Sequence, residues 1–394
     1  MAEFETIDEN KLGAAAEKFE CKLDQSERTQ LDQDLREALE RDRLMVGDVS
    51  NVCQTGGLIF DDPKMLDIQR RIVWDAVKTL GWNIMAGNTV NIISVSLPVR
   101  IFEPRSFLGR LSDGWSCAPI LLRKAALQTD PVERFKYVIA FAIAGLHVNI
   151  RQWKPFNPIL GETLQSTFPD GTQVYLEQTS HHPPVSHYQV FGADGLYKLH
   201  GCAQFAASWR GNALKASQSG PNIVEFSDGT SISYTLPYLW LSGVLYGDRV
   251  SEYLGQMTIR DEQNNISCEV VFHPDGVGYL KSWFVSSPSP SDTFRGDIIK
   301  DGNKVDQIDG SWIGEIRSNG VVLYDVRQKL DASTVPAENP IPSDSRFRED
   351  LKALSEGKFD LAQAKKVELE ELQRSDRALR RQGYEQRESA SSDL

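Results

Sequence analysis

Between Thr163 and Val326, short runs rich in Val, Ile, Tyr, Phe and Thr follow one another without a long helical stretch between them. Turn signals separate the runs: Pro169-Asp170-Gly171, Ala193-Asp194-Gly195, Ser227-Asp228-Gly229 and Lys300-Asp301-Gly302. Asp favours turn geometry through its own backbone contacts, and Gly accepts the left-handed conformation that tight turns need. Consecutive strands joined this way pair antiparallel, in a sandwich or barrel. A doubly wound parallel sheet is excluded, because each of its crossovers requires a helix.

Helical segments flank this region. Residues 1–45 are charged and rich in Ala, Glu, Leu, Gln and Lys, a composition for one helix or two with little apolar surface. Gly56-Gly57 breaks the chain. In residues 65–87, Ile68, Ile72, Ala76, Val77 and Leu80 recur at helical spacing, suiting either a core-packed helix or a mobile one. Residues 94–113 change from strand-like to helix-like around Pro98 and Pro104, and residues 131–147 read as a buried helix with Pro131 in its first turn. Residues 286–292 read as a loop, and residues 331–345 form a Pro-rich linker. Residues 346–381 return to a charged helical composition split at Gly357, and a polar, frayed tail is expected after Gly383.

Net charge −12 argues against a nucleic-acid partner and against general attraction to anionic membranes, though a local basic patch could still dock. The five cysteines, Cys21, Cys53, Cys117, Cys202 and Cys268, are scattered without a CxxC pair. Neither a disulfide framework nor a zinc site is suggested, and a reducing compartment fits. The acidic N-terminus is not secretory, and no apolar run is long enough to span a bilayer as a helix.

Three short motifs carry chemistry. In Glu177-Gln178-Thr179-Ser180-His181-His182-Pro183-Pro184, two prolines stiffen the chain beside two imidazoles. Near a phosphate dianion the charged imidazolium would be favoured, whereas metal ligation or burial in the core are the alternatives. In Lys154-Pro155-Phe156-Asn157-Pro158-Ile159-Leu160-Gly161-Glu162, the lysine precedes a rigid apolar loop, and is either a preorganised cation or a surface residue beside a turn. Lys366, Glu370 and Arg374, spaced four apart, fall on one helix face. That face suits a phosphate, and equally a solvated row of ion pairs.

Taken together and in this order, KPFNPILGE, EQTSHHPP and KxxxExxxR resemble the lipid-binding domain of the oxysterol-binding-protein-related proteins. EQTSHHPP departs from that family's EQVSHHPP only at Thr179. The resemblance covers about residues 65–381. It implies a mainly β (α+β) fold: a large incomplete antiparallel β-barrel enclosing an apolar lipid tunnel, with an N-terminal lid and C-terminal helices. On this basis residues 1–64 are a charged helical extension. The lid lies at about 65–93, a helical region at about 104–150, the barrel at 163–326, the C-terminal helices at 346–381 and a flexible tail at 382–394. The resemblance also implies that Lys154, Asn157, His181, His182, Lys366, Glu370 and Arg374 surround the headgroup of phosphatidylinositol 4-phosphate. The implied activity is exchange of that lipid between membranes for phosphatidylserine or a sterol. Alternatives are a sterol or oxysterol carrier, or a phosphoinositide sensor without net exchange.

Leu97-Pro98-Val99-Arg100-Ile101-Phe102-Glu103-Pro104-Arg105-Ser106 resembles the corresponding stretch of the phosphatidylserine carriers. It departs where Val99 replaces threonine, Arg100 phenylalanine and Phe102 leucine. Leu97, Ile101 and Phe102 are accordingly assigned to the second lipid at the tunnel entrance, with Arg100 or Arg105 as a possible cation there. Glu3-Phe4-Glu5-Thr6-Ile7-Asp8-Glu9 resembles an endoplasmic-reticulum anchoring tract but lacks its second aromatic. No enzyme is expected. G-x-S-x-G, P-loop and GxGxxG motifs are absent, and no nucleophile stands beside the histidines, which leaves a lipid hydrolase a remote alternative. Expected besides are no cofactor or metal, a monomer, and a cytoplasmic location with transient contact at organelle membranes.

Overall fold

The computed structural model describes residues 25–44, 47–60, 62–80, 97–181, 183–274, 289–328 and 334–392. The acidic N-terminal tract, His182 and the end of the proposed lid lie outside them. Helix α1 (Gln25–Leu44), strand β1 (Leu58–Phe60) and helix α2 (Pro63–Leu80) come first. Asp62 caps α2, its Oδ1 accepting the amides of Lys64 and Met65 at 3.1 Å, and Pro63 occupies the first turn, where a missing N–H costs nothing.

Strand β2 (Phe102–Ser106) leads into helices α3 (Phe107–Asp113), α4 (Ala118–Ala126) and α5 (Pro131–Ala144). Ser106 caps α3, and Asp130 caps α5 by accepting the amides of Val132 and Glu133. The buried helix expected at 131–147 is therefore present, with Pro131 at its start. Strand β3 (Lys154–Phe156) then pairs parallel with β2.

The remaining strands are β4 (Thr163–Thr167), β5 (Gln173–His181), β6 (Pro184–Phe191), β7 (Tyr197–Arg210), β8 (Ala213–Ser219), β9 (Asn222–Phe226), β10 (Ser231–Tyr234), β11 (Tyr238–Leu241), β12 (Arg249–Asp261), β13 (Ile266–Phe272), β14 (Thr293–Lys300), β15 (Asn303–Ser311), β16 (Glu315–Ser318), β17 (Val321–Asp325) and β18 (Val335–Pro336). With β1 they form one antiparallel sheet of 16 strands. Its path runs from β17 to β12, then β10, β9 and β7, and on through β6, β5 and β4 to β18. The long strands β7 and β12 are bridged twice, by β9–β10 and by β8–β11. The path ends at β17 and β18 without a pairing between them among the described residues, so the barrel is incomplete.

All four Asp-Gly turn signals sit between paired neighbours, and Gly171, Gly195, Gly229 and Gly302 each have positive φ. The turn chemistry read from the sequence thus sets the hairpins. Period-2 burial follows in β5 and β6, whose inward residues Val174, Leu176, Tyr188 and Val190 join the main core.

Helices α3–α5 fill the sheet's inner side; Phe135, Val138, Ile139 and Ile143 are fully buried in that core. Arg134 of α5 pairs with Asp228 of the β9–β10 turn at 2.6 Å, and Lys136 pairs with Asp306 of β15, fixing the helix at two strands.

A second core joins Leu35 and Ala38 of α1, Met65 and Ile72 of α2, and Phe102 and Phe156 to helices α6 (Glu349–Ser355) and α7 (Phe359–Ser392). Within the segment assigned to an N-terminal extension, α1 is thus packed into the domain. Gly357, at φ +68°, separates α6 from α7 as its sequence position suggested, but α7 continues to Ser392, past the expected end of helix at 381. No helix among the described residues is long and apolar enough to cross a membrane.

Candidate functional site

A cavity of about 850 Å³ opens between the 154–160 loop, the β5–β6 hairpin, strands β7 and β8, and one face of α7. The backbone brings its first cation into place. In the parallel β2–β3 pair, Phe102 stands opposite Lys154, and Pro155 gives the following chain its extended stiffness. Lys154 Nζ donates to Asn157 Oδ1 at 2.7 Å and to the Pro155 carbonyl at 3.3 Å.

The second cation comes from α7. Lys366 is 5% exposed, and its Nζ donates to Glu370 Oε1 at 2.6 Å. Arg374 lies one turn further on, 3.9 Å from Glu370 Oε2. The KxxxExxxR spacing therefore does place three charged groups along the cavity wall, with the carboxylate between the cations.

Electrostatics marks both lysines as disfavoured in their charged form. Burial, the Lys366 charge and the Arg348 charge push Lys154 from 10.5 down to about 7, against a weaker upward pull from Glu370. Burial also lowers Lys366, although Glu370 opposes it. Buried ammonium groups with depressed values are stabilised by an arriving anion, which supplies the charge that the protein lacks there.

The loop bearing Lys154 is held from behind. Glu162, 1% exposed, accepts the Ile159 amide at 2.9 Å and Arg348 Nη1 at 2.8 Å. Arg348 also donates to the Asn157 carbonyl at 2.9 Å and forks onto Asp350 at 3.0 and 2.6 Å. Burial alone would lower Arg348, but Glu162 and Asp350 outweigh it and hold the guanidinium above its ordinary value. Sequence reading missed Arg348. The only trace it leaves is the Arg-x-Asp at the start of α6, a pattern common at helix starts.

His181 and Pro184 pair as the last rung of the β5–β6 hairpin, so that Pro184 is held extended as the first residue of a strand. A register shift between Gln178 and Ser180 bulges β5 just before it. Gln178 ties the bulge, donating to the Ser180 carbonyl and accepting from Ser186 Oγ, both at 2.6 Å. His181 is half-buried and lines the cavity with Gln178, Thr179 and Ser180.

Lys154, Asn157, His181, Lys366, Glu370 and Arg374 are thus brought to one cavity. Of the three residues assigned to a second lipid, Phe102 lines it, whereas Leu97 and Ile101 pack into the second core. Arg100 and Arg105 do not line this cavity. Arg100 is paired with Asp32 of α1 at 3.1 Å and Asp360 of α7 at 3.0 Å, and Arg105 with Asp113 at 2.7 Å. Phe107 and Phe205, edge to face at 4.5 Å, give the cavity an apolar end that sequence reading also missed.

The family model described as Oxysterol-binding protein matches residues 81–333 and 327–390. Oxysterol-binding protein 9 of Dictyostelium discoideum is 37% identical over 335 residues, 81% of this chain and 78% of that protein. Oxysterol-binding protein-related protein 5 of Homo sapiens is 31% identical over 327 residues, and the match spans 77% of this chain but only 36% of that longer protein. Two solved structures share the fold. The Osh3 ORD in complex with PI(4)P from Saccharomyces cerevisiae superposes with TM-score 0.61 at 24% identity, over 73% of this chain and 81% of that one. The Osh1 ORD domain in complex with cholesterol gives 0.66 at 22% identity, over 90% and 89%.

Proposed function

The chain belongs to the oxysterol-binding protein family, and from that premise we propose that it carries phosphatidylinositol 4-phosphate between membranes and exchanges it for phosphatidylserine or a sterol. The observation that carries this reading is the convergence of Lys154 and Lys366, from separate segments, on a cavity with an apolar end. A phosphorylated headgroup would meet both ammonium groups and Arg374, with Asn157, Glu370 and His181 positioned for inositol hydroxyls and phosphate. Its acyl chains would lie toward Phe107 and Phe205. Each methylene kept from water is worth about 0.8 kcal/mol, which is why a carrier must enclose the chains it moves. The related ORDs, solved with PI(4)P in one case and cholesterol in another, support a phosphoinositide and a sterol as the ligand classes to test.

Exchange needs no covalent step. The protein would act as a monomer, without cofactor, touching organelle membranes transiently from the cytoplasm. Extraction of labelled phosphatidylinositol 4-phosphate from liposomes tests the headgroup site. Lys154→Ala, Lys366→Ala and the double variant His181→Ala/His182→Ala should each lose extraction while remaining folded, and recovered lipid should be chemically unchanged. Intact extraction by the folded histidine variant would remove those residues from the site, and converted lipid would overturn the carrier reading in favour of a hydrolase.

A further inference from the structure

Phe102 is 2% exposed, yet its ring forms part of the cavity floor. Lys154 Nζ stands 4.6 Å from the ring centroid and Lys366 Nζ 5.6 Å from it. Three distant segments meet there: Phe102 opens β2, Lys154 opens β3 in register with it, and Lys366 reaches in from α7. Phe156, tilted 48° with its centroid 4.8 Å away, fixes the orientation of the Phe102 ring.

The arrangement answers an electrostatic problem. Lys366 bonds the Glu370 carboxylate, but the hydrogen bonds of Lys154 run to neutral oxygens, on Asn157 and Pro155. Two buried ammonium groups that repel one another need a further source of negative potential. The face of an aromatic ring supplies one, and its attraction for a cation grows when water is excluded. A leucine would fill similar space and offer none.

We propose that Phe102 is a positioning residue of the anion site: its ring favours the charged form of Lys154 and Lys366 and holds the two groups side by side before a ligand arrives, so that one phosphate meets two aligned cations. This takes Phe102 away from the second lipid and gives it to the phosphorylated headgroup, and in that respect it rests on the function proposed above.

The test begins without lipid. In the full chain labelled with ¹³C-lysine, the side-chain titrations of Lys154 and Lys366 are followed by NMR as Phe102 is replaced by phenylalanines carrying one, two and three fluorines. Shape stays nearly constant while the ring's negative face weakens. Both titration midpoints should fall stepwise along the series. Overlaid titration curves across the series would overturn the proposal. In liposome extraction at pH 8, Phe102→Leu and the trifluorinated ring should weaken phosphatidylinositol 4-phosphate uptake by roughly tenfold, with a steeper loss at higher pH than in the unsubstituted protein. Uptake and pH profile identical to the unsubstituted protein would likewise count against it. Graded titrations in a protein that takes up no phosphoinositide would uphold the role of Phe102 and refute the lipid reading instead.

Discussion

At the scale of single residues, the site is governed by Lys154. Between about 7 and 10.5 its folded form has released a proton that the unfolded chain keeps. Stability of the ligand-free protein therefore rises with pH across that window, because the unfolded state binds more protons there. Ligand binding has the opposite sign. A phosphate needs the ammonium form, so binding above about 7 must take up a proton, and affinity should fall by up to about tenfold per pH unit. Below about pH 6 the phosphate monoester loses its second charge, so uptake should be greatest just below neutrality. Calorimetric titration in buffers of different ionisation enthalpy would show the proton uptake directly. Affinity that stays flat from pH 7 to 9 would mean that Lys154 is not at the phosphate. None of this was legible in KPFNPILGE, which identified the lysine but not its depth. Its surroundings include Lys366, Arg348 and Phe102, which stand far from Lys154 in the chain.

At the scale of elements, the sequence of α2 suits either a core-packed or a mobile helix, and its described part is core-packed. Met65, Leu66 and Ile72 are buried, Gln69 Nε2 donates to the Gln152 carbonyl at 3.2 Å, and Arg70 donates to Gly243 at 3.0 Å. Ile72→Ala should therefore destabilise by about 2–4 kcal/mol in denaturant unfolding, the cost of a cavity in a packed core. A cost below about 0.5 kcal/mol, the range of surface changes, would return α2 to the mobile class. For the same reason a lid deletion should begin after Leu80, since one starting at Met65 removes core residues along with any cover.

Gly357 invites a second element-scale test. Its φ of +68° ends α6, and a Cβ there would stand 2.4 Å from Arg36 Nε, the side chain that also donates to the Gly357 carbonyl at 2.9 Å. Gly357→Ala should cost about 1–2 kcal/mol from the backbone alone, read as a lower unfolding midpoint, and should disturb the α1 contact at the same time. The break at Gly357 was visible in sequence because a glycine at a helix end has a local cause. Docking of α1 on that same glycine was not, because the few apolar residues of α1 lie scattered among charged ones, and Gly357 stands 321 positions from Arg36. The hairpins were legible because Asp-Gly turns and alternating burial are local. The incomplete closure and the two bridges between β7 and β12 came only from the family resemblance or not at all, since they depend on which strands meet.

For the whole molecule, the consequence of sharing this cavity is competition. The basic groups at its rim, among them Arg374, Arg377 and Arg380, stand out in a chain of net charge −12, so anionic lipids should enter from that side without the whole surface clinging to membranes. Two lipids that use the same space cannot be held together, and a carrier loaded with one should release it only to a membrane that offers the other. The second lipid is then identified by displacement. Phosphatidylserine brings a phosphate, a carboxylate and two chains, and would use the lysines as well as the apolar end. A sterol brings a rigid apolar body and one hydroxyl, and would leave the lysines unpaired. The burial cost already present at Lys154 and Lys366 would persist under a sterol and be relieved under an anionic lipid, so phosphatidylserine is the expected counter-lipid. Protein loaded with labelled phosphatidylinositol 4-phosphate should lose its label to liposomes containing phosphatidylserine. Displacement by sterol liposomes alone would make the counter-lipid a sterol, and retention of the label against both would make the protein a phosphoinositide sensor.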